Sequence, residues 1–271
     1  MSDAKPRPTR KYGQNFLAEP RLAAKLVELF APGPDDVVVE IGPGRGALTR
    51  GLAEKAGRFV ALEIDPRLID GVKEILAPFP NAEVHLADAL EIDWDALSAH
   101  LGGPLRVVGN LPYNVGTPIV RRLIASDAVL DTQVVLQLEV AERLLAEPGT
   151  KDYGPLSIVA ALRCGREKLR VIKPGSFTPA PKVTSCALRL RRLAAPPLAA
   201  EEVGRFEYWA FSGFAQRRKT LANNIERHRT LIEQFLVSCG LPANARGERL
   251  TPNQWLTLAD AMTMGEVALD V

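Results

Sequence analysis

Three short stretches of this 271-residue chain carry residues suited to holding a nucleotide, each at the end of an apolar run. Gly42-Pro43-Gly44-Arg45-Gly46 follows the β-branched run Val37-Val38-Val39-Glu40-Ile41 and precedes an Ala- and Leu-rich stretch, Ala47 to Ala56. Glycines placed there permit positive φ and let backbone N–H groups approach a ligand at a helix N-terminus, beside the carboxyl ends of parallel strands. Glu63 closes the next run, where a carboxylate can accept from both hydroxyls of a ribose. Asp88 follows the third run, and there an acid either accepts from the exocyclic amine of an adenine or closes an Asx turn. The glycines alone do not choose a cofactor class, because Gly42, Gly44 and Ala47 also satisfy the GxGxxA pattern of nicotinamide binders.

Asn110-Leu111-Pro112-Tyr113-Asn114, at the end of a fourth run, separates the classes. An exocyclic amine on a base is a poor nucleophile, since its lone pair is delocalised into the ring. The Asn110 side-chain oxygen and the Leu111 carbonyl are two acceptors that can bind its protons and favour tetrahedral nitrogen, with no charged general base. Tyr113 offers a flat face for a flipped-out base, a contact of about 1–3 kcal/mol in single-strand binders. A nicotinamide oxidoreductase would instead need a proton-relay residue near the glycine loop, and none is found.

The elements that must position these residues follow from the rhythm of the chain. Glu19 to Phe30 has helical spacing in Leu22, Leu26, Leu29 and Phe30. Strands are expected at Val37–Ile41, Phe59–Ile64, Glu83–Leu86, Leu105–Gly109 and Gln133–Leu138, with helices over 47–56 and 67–76. Short, continuously apolar strands alternating with helices describe a parallel sheet covered on both faces. Beyond residue 165, Lys168–Ile172 and Cys186–Arg191 alternate, as an antiparallel pair at the sheet edge would. Ala194-Ala195-Pro196-Pro197 reads as a linker, dividing a catalytic domain over 1–196 from a helical domain over 197–271. Residues 1–18 form an N-terminal arm, with a basic, Pro-containing part at Lys5–Lys11. In the helical domain a new helix from about Gln216 would place Arg217, Thr220 and Asn224 on one face.

Composition bounds the partners. Hydrophobic residues make up 46% and charged residues 24%, a folded globular balance, and no run is apolar enough for a membrane span or a signal segment. A cytosolic monomer without a membrane partner is expected. Three scattered cysteines and three histidines fit neither a disulfide frame nor a ligand spacing, so no protein-bound metal is expected. Net charge is only +2, yet residues 160–192 hold nine basic side chains against Glu167, and residues 205–229 six against two. Together with the basic arm, these segments point to a polyanion-binding face.

Gln14-Asn15-Phe16-Leu17, Glu40 to Gly46, Asn110 to Asn114, Phe177-Thr178-Pro179-Ala180-Pro181-Lys182-Val183 and Arg217-Arg218-Lys219-Thr220-Leu221 together closely resemble the ribosomal RNA adenine dimethyltransferases. The resemblance runs in order over nearly the whole chain and is nearest to the bacterial small-subunit branch. It implies an α/β, Rossmann-like class I methyltransferase fold: a seven-stranded, mostly parallel sheet with an antiparallel edge hairpin, plus a small all-helical C-terminal domain. It also implies S-adenosylmethionine as cofactor and two adjacent adenosines near the 3′ end of 16S RNA, in an immature small subunit, as substrate. Asn15, Leu17, Gly42, Glu63, Asp88 and Asn110 would line the cofactor pocket. Asn110, Leu111, Pro112, Tyr113 and Phe177 would form the catalytic set, with Tyr113 and Phe177 on either side of the base. Phe177 sits in the Pro174–Pro179 stretch, which reads as an exposed loop, and Arg217, Arg218 and Lys219 would touch RNA phosphates. Thr184 after Pro-Lys-Val, where the family usually has Asp, and Val115-Gly116, where Ile-Ser is commoner, are departures that bear on substrate fit. The readings left open are the large-subunit branch, a DNA adenine methyltransferase, and a ribosome-assembly factor whose catalysis is secondary.

Overall fold

The β-branched runs form the centre of a parallel sheet, and the computed structural model of the chain describes residues 8, 9 and 12–267, the side chains of 266 and 267 excepted. Apart from Pro8 and Thr9, the Lys5–Lys11 arm lies outside the described residues. A short strand β1 (Phe16–Leu17) leads into α1 (Pro20–Phe30), which starts at Pro20, where a missing N–H costs nothing, and ends at Ala31 in the left-handed region. Then follow β2 (Val37–Ile41), α2 (Thr49–Ala53), β3 (Arg58–Glu63), α3 (Pro66–Leu76), β4 (Ala82–Leu86), α4 (Trp94–Leu101), β5 (Leu105–Asn110), α5 (Gly116–Ala125) and β6 (Val129–Gln137). The chain continues through α6 (Leu138–Leu145), α7 (Pro155–Arg163), β7 (Cys164–Ile172), β8 (Phe177–Thr178) and β9 (Ser185–Arg192). It ends in α8 (Val203–Gly213), α9 (Leu221–Asn224), α10 (Arg229–Ser238) and α11 (Pro252–Val267).

Seven strands pair in the order β4-β3-β2-β5-β6-β9-β7. Strands β4 to β6 pair in parallel, β9 is antiparallel to β6, and β1 and β8 form a separate antiparallel pair. The chain runs outward from β2 through β3 to β4, then returns to the other side of β2 as β5. That reversal opens a crevice at the carboxyl ends of β2 and β5, the place where ligands bind in open α/β sheets. The expected edge pair is present as the neighbours β9 and β7, and the sheet is the seven-stranded, mostly parallel one expected. Leu26, Phe30, Val38, Leu52, Phe59 and Val72 pack α1, α2 and α3 against the sheet. Among the described residues, no helix is long and apolar enough to cross a membrane.

The two compact units do not divide at residue 196. One is the chain up to Ala141 with Glu167–Arg192, and the other is Glu142–Arg166 with Leu193 onward. Residues 142–166 join the helical unit through bonds that no local pattern shows. The fully buried Arg163 donates to the Leu198 carbonyl (2.7 Å), the Tyr153 hydroxyl to that of Leu250 (2.9 Å), and the Gly149 N–H to that of Glu248 (2.7 Å). Within this unit the helix expected from Gln216 is also shorter, because regular structure begins only at Leu221, capped by the Thr220 hydroxyl. Residues 214–219 are instead a turn tied by Asn224, whose side chain bonds the Gly213 and Gln216 carbonyls and the Gln216 N–H.

Candidate active site

The glycine loop meets its purpose at the end of β2. Gly42 (φ +66°) and Gly44 (φ +59°) both lie in the left-handed region. A Cβ on Gly44 would stand 2.9 Å from the Phe16 ring, so glycine also allows the N-terminal segment to close over the loop. Nothing stands within 4 Å of where a Gly42 Cβ would be, so the backbone there faces open space.

Two buried carboxylates underlie this loop. Glu63, at the end of β3, accepts from the Gly44 N–H (3.0 Å) and the Asp65 N–H (2.9 Å). Burial pushes its carboxyl above the usual range, and those backbone donors partly offset the rise. Glu40, next to last in β2, accepts from the Thr49 hydroxyl (2.7 Å), and its burial raises its carboxyl to about 8. Pattern reading passed over Glu40, since an acid inside an apolar strand was the only signal, and over Gln14 and Asp65.

Asn110-Leu111-Pro112-Tyr113, at the end of β5, lines the same cleft. The Asn110 amide nitrogen donates to the Asn15 carbonyl (2.7 Å), which fixes the side chain so that its oxygen is the acceptor end. The Leu111 N–H donates to Val135, and the Pro112 carbonyl accepts from Gly116 (2.8 Å) and Val115 (3.2 Å), holding a tight turn. Tyr113 is half-buried, with its hydroxyl 2.6 Å from that of Ser185. The N-terminal segment is latched across the cleft rim by Gln14, whose amide donates to Asp65 (2.8 Å), while Asp65 also binds Arg67. One cleft thus gathers Asn15, Leu17, Gly42, Glu63, Asn110, Leu111, Pro112 and Tyr113.

Two expected residues fall elsewhere. Asp88 stands just after β4 and outside the residues that line the cleft; one of its two oxygens accepts from the Leu90 N–H (2.9 Å), closing an Asx turn. Phe177 is not on an exposed loop: it is 3% exposed, on β8 opposite Leu17, within the core that includes Ile172 and Ala187. Proline and glycine around it mimic a loop in sequence, but the β1–β8 pairing turns its ring inward.

Of the basic set, Arg217, Arg218 and Lys219 are all exposed, and Arg217 also donates to the Lys151 and Tyr153 carbonyls, which makes it a staple of the helical unit. The charge of residues 160–192 is likewise spent in part. Arg163 bonds Leu198, Arg166 bonds Leu144 and Glu147, Arg189 bonds Asp131 and Leu29, and Arg192 bonds Asp127. Lys168, Arg170, Lys173, Lys182 and Arg191 remain exposed.

Residues 7–263 match the family model of the ribosomal RNA adenine dimethylases. The chain belongs to that family. Membership makes it an RNA adenine methyltransferase, and the cleft places Tyr113 and an oriented Asn110 beside the Gly42 loop. The dimethylase is 41% identical over 94% of both chains to ribosomal RNA small subunit methyltransferase A of Aromatoleum aromaticum. It is 38% identical to the protein of that name from Geobacillus kaustophilus, covering 93% of this chain and 90% of the other. Among solved structures, the 23S rRNA methyltransferase ErmE is 31% identical with a TM-score of 0.70, covering 91% of this chain and 98% of that one. A dimethyladenosine transferase from Plasmodium falciparum has the same fold, with a TM-score of 0.72 at 24% identity over 90% of this chain and 95% of that one.

Proposed function

We propose that this dimethylase transfers methyl groups from S-adenosylmethionine to N6 of two adjacent adenosines near the 3′ end of small-subunit ribosomal RNA, within an immature subunit. The observation that carries this reading is the Asn110–Asn15 bond, which orients an uncharged acceptor in the same cleft as the Gly42 loop and Glu63. The cleft fits the cofactor: Gly42 presents open backbone, and Glu63 is a buried carboxylate already aligned by two N–H donors. Asn15, Leu17, Gly42, Glu63 and Asn110 would hold it, with the second oxygen of Asp88 for the base. When bound, it supplies a methyl group made electrophilic by a sulfonium.

The chain's own part is to prepare the nitrogen. The Asn110 oxygen and the Leu111 carbonyl accept the two amine protons, which draws the lone pair out of conjugation. Tyr113 stacks on the base and sets its plane. With no charged acid or base assigned to the amine, its proton passes to solvent after transfer. The exposed cations Arg218, Lys219, Lys173 and Lys182 hold phosphates of a polyanionic partner. A second reading, a large-subunit RNA substrate, is favoured by the likeness to ErmE.

The test supplies labelled S-adenosylmethionine with small subunits lacking the modification and, in parallel, with large subunits. Label on two neighbouring adenosines near the 3′ end of the small-subunit RNA is expected. Asn110→Ala should abolish most transfer even at saturating cofactor. Label confined to the large subunit overturns the proposal, and binding to small subunits without transfer would make the chain an assembly factor.

A further inference from the structure

Tyr113 is held at two points. Its backbone sits in the Pro112–Gly116 turn after β5, and its phenol oxygen lies 2.6 Å from the hydroxyl of Ser185, the first residue of β9. Strand β6 lies between β5 and β9, and Ser185 stands opposite Gln137, the last residue of β6. The tyrosine therefore spans the carboxyl end of β6, at the rim where a base must enter. Ser185 is fully buried, and burying a hydroxyl is costly unless it is bonded. The phenol of Tyr113 is the side-chain partner it has there, and either oxygen can serve as donor.

We infer that Ser185 is a positioning residue for methyl transfer, its hydroxyl fixing the position of the Tyr113 ring against which the target adenine stacks. The inference rests on the function proposed above. A tyrosine held only by its backbone swings about χ1 and carries the base with it, whereas a bond at the phenol oxygen, at the far end of the side chain, holds the ring in place. The amine then moves away from the Asn110 oxygen, and displacements of about 1 Å at a reacting centre cost up to about a hundredfold in rate. The hydroxyl of Ser185 touches neither cofactor nor base; it acts through Tyr113.

The experiment compares wild type, Ser185→Ala, Tyr113→Phe and the double variant in methyl transfer to unmodified small subunits at saturating S-adenosylmethionine. Each single change should lower kcat about tenfold with the cofactor KM unchanged, and the double variant should be no slower than either, because both remove one bond. RNA carrying 2-aminopurine at the target position should be quenched on wild type and less so on both single variants, a readout that general destabilisation does not move. Tyr113→Phe leaves β9 intact and carries the test if Ser185→Ala does not fold. Unchanged kcat in both single variants, or losses that multiply in the double variant, overturn the inference. Wild-type protein that labels no small-subunit RNA overturns the function itself, a distinct result.

Discussion

Glu40 and Glu63 show how a single residue's surroundings set its chemistry. Both acids are almost fully buried, at 2% and 3% exposure, and both lie beneath the glycine loop. Glu63 has three backbone donors that favour its charge, while Glu40 has only the Thr49 hydroxyl in favour of its charge and the neighbouring Glu63 against it. Glu40 therefore keeps its proton to about pH 8, against 4.5 for an ordinary glutamic acid. Because the folded chain binds that proton more tightly than the unfolded chain, its contribution is fully present below pH 4.5 and is lost as pH rises through about 8. Glu40→Gln mimics the protonated acid and still accepts from Thr49. Melting temperature followed from pH 5 to 9 should thus fall less steeply in Glu40→Gln than in wild type, with a difference on the order of a few kcal/mol at the alkaline end. Parallel curves would show that Glu40 ionises freely in the folded protein.

Among the elements, the small β1–β8 pair has an effect out of proportion to its length. It carries Phe16 over Gly44, places Leu17 at the cleft, and turns Phe177 into the core. The cleft wall and part of the core are therefore one structural piece. Phe177→Ala should lower stability by about 3–5 kcal/mol, the usual cost of removing a buried phenylalanine. It should also weaken S-adenosylmethionine binding, measured by calorimetry at a temperature where the variant stays folded, because the β1–β8 pair that carries Leu17 loses its buried anchor. A variant as stable as wild type that lost only methyl transfer would instead restore Phe177 to the role of an exposed stacking face.

For the whole molecule, charge must be counted after pairing. Arg217 is adjacent to Arg218 in sequence, yet it staples the turn at 214–219 to the carbonyls of Lys151 and Tyr153 within the helical unit. Arg217→Ala should therefore lower the melting temperature, whereas Arg218→Ala with Lys219→Ala should leave it unchanged and weaken binding to the ribosomal particle. Across a salt series that pair should reduce the slope of log affinity by about 0.7–0.9 for each phosphate that is no longer neutralised. The control is Lys55→Ala with Lys73→Ala, two exposed lysines, and not Arg67, which is bonded to Asp65 at the cleft rim. Identical salt slopes for the two pairs would remove the helical unit from the RNA interface.

Much of the architecture was determined by the residues in order. Val37–Ile41, Arg58–Glu63 and Leu105–Asn110 are buried on both faces over most of their length, so their runs are mainly apolar, and the glycines and acids at their ends mark where the crevice must be. The grouping of Asn110–Tyr113 at the end of β5 was equally legible, because these residues are adjacent in the chain. What only the tertiary structure decided are the bonds between distant segments: Asn15 to Asn110, Ser185 to Tyr113, Arg163 to Leu198, and Phe177 beside Leu17. Residue type says that a side chain can donate or be buried, but its partner is chosen by the packing of strands and helices far apart in the chain. For the same reason the runs of arginine counted as one basic face divide into exposed cations and internal staples, and residues 142–166 join the helical unit. Hydrogen-bonding capacity is a property of the residue; its satisfaction is a property of the fold.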